Sequence, residues 1–191
     1  MSGFNAQGYG IVIARWLEHR PLVSLGHGEA GGVLKGQRSD VTVANAFSPG
    51  TIRNIDMANA MLAGLWLAHN DLQASHQISQ TIGTPTGSYW HGIMHRREGD
   101  FPNAKYWFRK MGSHPVNTML RKDAAELARN SPRHPTMLFL EGQTQWDAFA
   151  FTDFVGKCVH GRSPCGDLAR AVQEREWELL FDFCYRAAMA R

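Results

Sequence analysis

SYWHGIMHRREGDFPNAKYWFRKM, residues 88–111, decides the fold class. Ser88 is a residue type that caps a helix start, and Gly99 is one that ends a helix. Between them the spacing predicts one helix over Ser88–Glu98. Asp100 then caps a second helix over Phe101–Met111, with Pro102 in its first turn, where a missing N–H costs nothing, and Gly112 at its end. A connection as short as Gly99–Asp100 makes the two helices antiparallel neighbours.

The same reading extends outward. Upstream, Asn54 or Asp56 can start a helix that runs to about Gln80. Within it Leu62, Leu65, His69, Leu72 and His76 are spaced three, four, three and four, a single face. Gly83 and Pro85 end it. Downstream, a helix over 115–129 carries Val116, Met119, Leu120 and Leu127 on one side. The aromatic stretch 135–158 holds a short helix from Trp146. A last helix over 167–188 turns Leu168, Val172, Leu179, Leu180 and Phe183 inward, with Glu174, Glu178 and Asp182 as a solvated face. Of the 19 glycines, those in the first 50 residues include five between Gly26 and Gly36. That stretch reads as irregular chain around one helix or strand at 10–17. The expected fold is all-α: an irregular bundle of about five or six helices over residues 54–191, with a Gly-rich irregular N-terminal arm over residues 1–53 packed on it.

With 191 residues, 43% hydrophobic and 19% charged, the chain can bury a core without crosslinks. A net charge of +3 from scattered basic residues forms no stripe, so nucleic acid is not expected as a partner. No apolar run approaches the roughly 20 residues of a membrane span, and residues 1–10 lack the pattern of a secretory leader. Three cysteines give no disulfide framework. A cytoplasmic location with reduced thiols is the expectation. GHGEAG at residues 26–31 fits G-x-G-x-x-G after the apolar PLVSL, but Gly32 and Gly36 interrupt the helix that a dinucleotide site requires. Cys158-x-His160-x4-Cys165 lacks the paired knuckle of a zinc finger and reads as a polar loop.

The residues with most chemistry are histidines. His69 and His76 interrupt the apolar seam of their helix. His91, His95 and Glu98 follow at i, i+4 and i+7 on the next one. Two imidazoles one turn apart can chelate an ion such as zinc, and a carboxylate a turn further on can complete a site. Acid/base work by His91, His95 and Glu98 without a metal needs the same convergence. Each histidine can equally be an interior side chain satisfied by one hydrogen bond. Arg96, Arg97 and Arg109 lie near Asn103, Tyr106 and Trp107, a set of groups suited to a small anionic ligand. Arg96 and Arg97 can also be solvated cations at a helix end.

The stretch 88–115 resembles a tetratricopeptide repeat, whose signature is W-x2-L-G-x2-Y, then A-x3-F, then Pro. Gly92, Ala104 with Phe108, the Gly99-Asp100-Phe101 turn and Pro115 match. Ser88, His91 and His95 stand where that family has Trp, Leu and Tyr. The resemblance therefore implies that both histidines face neighbouring helices. The block 88–110, together with REWELLFDFCYR at 175–186, also resembles a group of uncharacterised bacterial proteins, which implies a shared helical fold.

Two function classes stay open. The first is a small-molecule or metal-binding protein with a His/Arg-lined pocket between helices, enzymatic or not, using His69, His76, His91 and His95. The second is a tetratricopeptide-like module that binds a protein partner, its histidines only satisfying the core.

Overall fold

A computed structural model describes residues 4–18, 20, 24–26 and 40–190. Among the described residues the chain is all-helical, without a strand. Ten α-helices follow one another: α1 Ile11–Glu18, α2 Val43–Ala46, α3 Ile55–Ala68, α4 Leu72–Ser79, α5 Pro85–Glu98, α6 Phe101–Met111, α7 Asn117–Arg129, α8 Phe139–Gly142, α9 Ala148–Val159 and α10 Gly166–Met189. The glycine-rich run 27–39 lies outside the described residues. No helix among the described residues is long and apolar enough to cross a membrane.

Ten helices exceed the five or six expected: α1 and α2 lie in the N-terminal stretch, α8 is an added short turn, and a side-chain cap divides one helix that apolar spacing joins. The expected single helix over 56–80 is two. Asn70 takes a left-handed backbone, φ 60°, and the Asp71 side chain accepts from the Ala74 amide at 3.0 Å, starting α4 afresh. Asp147 does the same for α9, accepting from the Phe149 and Ala150 amides. Thr42 caps the short α2. Pro85 opens α5 behind the Thr84 cap, three residues ahead of Ser88.

α3 is the central strut, with ten buried residues. The 24-residue α10 lies along it. The Trp177 indole of α10 donates to the Gly64 carbonyl at 2.7 Å, and the Arg53 and Asn54 amides donate to the Ala188 carbonyl. α5 and α6 pack most closely of all, around Trp90, Ile93, Ala104 and Phe108, each at most 2% exposed. A Cβ on Gly92 would lie 2.7 Å from the Phe108 ring, so only glycine lets α6 approach α5 this closely.

The acidic face of α10 is solvated only in part, with Glu174 and Asp182 partly exposed and Glu178 largely covered. The N-terminal segment covers it: Arg20 pairs with Glu174 at 2.8 Å, and the Tyr9 hydroxyl donates to Asp182 at 3.1 Å. Tyr9, Ile13, Trp16 and Leu17 are buried in the main core.

Candidate metal centre

The α4–α5 corner is set by a steric requirement. A Cβ on Gly87 would lie 2.3 Å from the Ile82 carbonyl oxygen, so glycine there lets the connecting turn fold back onto the first turn of α5. α4 then runs beside α5, and His76 of α4 meets His91 and His95, one helical turn apart on α5. One ring nitrogen from each of the three lies within 4.8 Å of the others. Ring centroids are 4.6 Å apart for His76–His91, 4.8 Å for His91–His95 and 5.5 Å for His76–His95.

α6 supplies the surroundings. The Trp107 ring stacks on His91 with centroids 3.8 Å apart and planes 14° off parallel. The Lys110 ammonium sits 4.5 Å above Trp107. The Asn103 amide nitrogen is 3.1 Å from His95 Nε2. It is also 3.4 Å from His95 Nδ1, which is 2.9 Å from Glu98 Oε2. A carboxylate only accepts, so Nδ1 carries the proton and Nε2 keeps its lone pair.

Burial keeps the two inner rings neutral. His91 is pushed down to about 3, by desolvation first and then by the neighbouring His95, His76 and Lys110. His95 is also lowered by desolvation, against the opposing pull of Glu98. A neutral imidazole is the form that binds metal, so little proton competition stands against an ion here. His91 Nδ1 is buried without a hydrogen-bond partner. An orphaned polar atom of this kind costs on the order of 1–3 kcal/mol.

No family model, curated protein or solved structure matches this chain. The reading of the centre therefore rests on its own residues.

Of the residues singled out from sequence, His76, His91, His95, Glu98, Asn103 and Trp107 come together, and the others do not join them. His69 follows the end of α3, and its Nε2 donates to the Trp16 carbonyl at 2.9 Å, fastening α1 to the core. The α3–α4 break separates it from the stripe it was expected to share with His76. Arg96 and Arg97 are not solvated cations. They are 0% and 2% exposed and used internally. Arg96 pairs with Glu176, donates to Gln173 at 3.2 Å and lies over the Phe108 and Phe151 rings. Arg97 donates to the Leu67 carbonyl at 2.7 Å and to the Asn70 side chain. It thereby holds the α3–α4 break in place. Arg109 lies over Phe149, and Tyr106 is exposed.

Two residues escaped the sequence reading. Glu176 stands four residues from both Val172 and Leu180, all three buried. A carboxylate in an apolar stripe is the signal of a buried cation. Lys110, three residues after Trp107, is the cation closest in character to what Arg96 and Arg97 were expected to supply. An i, i+3 relation to the stacking tryptophan was its signal.

Proposed function

We propose that this is a metal-binding helical protein whose ion is held by His76, His91 and His95 between α4 and α5. The observation that carries the reading is the meeting of three imidazoles, two of them buried and held neutral, with one nitrogen left unpaired. Nitrogens bound 2.0–2.1 Å from a tetrahedral zinc are about 3.3–3.4 Å apart. The three nitrogens lie within 4.8 Å of one another, so the widest pair closes by about 1.4 Å on such an ion. Glu98 supports the set by fixing the His95 tautomer, the usual role of a carboxylate behind a ligating histidine. A zinc held by these residues would supply Lewis-acid chemistry there. Trp107 covers one face of the His91 ring, and Phe108, seated against Gly92, keeps α5 and α6 in register.

Calorimetric titration of the metal-stripped chain with zinc tests this. One zinc per chain is expected. His91→Ala and His95→Ala should each weaken binding by more than roughly 100-fold, beyond the 10–100-fold typical of residues that only support a ligand. If zinc binding is absent, or unchanged by both substitutions, the reading fails and the partner-binding module takes its place.

A further inference from the structure

We propose that the three-histidine centre keeps one coordination position for a small exogenous anion, received on the side of Lys110 and Asn103. This rests on the metal reading above. Among the described residues, no fourth histidine, cysteine, aspartate or glutamate joins the cluster. Closed structural zinc sites use four protein ligands, and three with an open fourth position is the pattern of sites that take water or substrate. Glu98 is the nearest carboxylate candidate, and its Oε2 is already engaged with His95 Nδ1, the nitrogen that faces away from Asn103's partner atom.

The charge around the open side has a direction. Glu98 and Asp100 lie toward the outer edge of His95, and the Asp100 side chain caps α6 through the Asn103 amide at 3.2 Å. Across the cluster, the exposed Lys110 reaches over Trp107 and is felt electrostatically by His91. The Asn103 side-chain nitrogen lies 3.1 Å from His95 Nε2 and 3.4 Å from Nδ1, against that ring beside the cluster, so a molecule on the ion has an N–H donor within reach. His76, half-buried at the solvent side, leaves a route in. An ion, a donor and a cation together select a small anion: a carboxylate, phosphate or bicarbonate-sized group. His91 is buried and covered on one face by Trp107, which favours a small group at the ion.

Cobalt replaces zinc in such sites and reports its ligands through visible absorption. The cobalt-saturated chain is titrated with azide and, separately, with acetate and with inorganic phosphate. Expected is a saturable change in the cobalt bands with at least one of the three. Lys110→Met should weaken that anion roughly two- to fivefold, the size of one exposed charge, and Lys110→Arg should restore it. Cobalt bands of tetrahedral type that ignore all three anions overturn the open position while leaving the metal reading intact. Anion binding indifferent to Lys110→Met overturns the assigned direction. Absence of tetrahedral cobalt bands defeats the metal reading itself, a distinct outcome.

Discussion

Gly92→Ala is the sharpest test of the packing that presents the centre. The new Cβ would lie 2.7, 2.8 and 3.0 Å from three atoms of the Phe108 ring, against about 3.5–4.0 Å for carbon atoms in ordinary contact. Phe108 is 2% exposed, packed against Tyr89 and Arg96, so the ring has nowhere to turn. α6 must retreat by close to an ångström. Overpacking of this kind costs about 1–3 kcal/mol, and alanine in place of a helical glycine returns about 1 kcal/mol. The net in the parent chain is a loss of up to about 2 kcal/mol. Phe108→Ala alone costs about 3–5 kcal/mol through the void it leaves. In the Phe108→Ala background the clash is gone, so Gly92→Ala should turn stabilising by about 1 kcal/mol. Urea melts of the four chains give the double-mutant cycle. Additive effects, or a Phe108→Ala chain that melts like the parent, refute the close α5–α6 contact.

Glu176→Gln should destabilise by about 3–5 kcal/mol, because it strands the buried Arg96 guanidinium; Arg96→Met with Glu176→Leu should recover most of that, and denaturant melts show both. Glu98→Ala removes the acceptor that fixes the His95 tautomer and should weaken zinc about 10–100-fold in calorimetry, without abolishing it. Acidification should lower the melting temperature of the metal-free chain. His91 and His114 are lowered to about 3 and about 4 by burial, so the unfolded chain takes up protons first. Their contribution is complete above the ordinary histidine value and drains away as pH falls from about 6.5 toward 4 and then 3. His91→Gln should flatten that slope, and a profile equally steep in the variant speaks against the buried neutral ring.

Much of this was legible in residues 88–112, where Asp100, Pro102, Gly99 and Gly112 mark the hairpin's corners locally. His91 and His95 could be paired from their spacing alone, since i and i+4 share a face. The meeting with His76 also followed from the apolar seam. The same seam misled for His69, because the left-handed Asn70 and the Asp71 cap break the helix between them and apolar spacing does not register a cap. Arg96 and Arg97 carried their own warning. Successive helical residues point about 100° apart, so neighbours of His95 in sequence cannot share its face. Their partners were beyond local reading: Glu176 is 80 residues from Arg96, and the Leu67 carbonyl accepting from Arg97 is backbone. The cover that Arg20 and Tyr9 give the acidic face of α10 is likewise a contact over some 150 residues or more.

The central claim is that three imidazoles of this chain share one ion, and X-ray absorption at the zinc edge of the zinc-loaded protein measures that most directly. The account predicts a four-coordinate shell with three imidazole nitrogens at about 2.0–2.1 Å and one oxygen or nitrogen donor from an exogenous ligand, and loss of imidazole scattering in His91→Ala. A shell of oxygens alone, a sulfur at about 2.3 Å, or a spectrum unchanged by His91→Ala would contradict it.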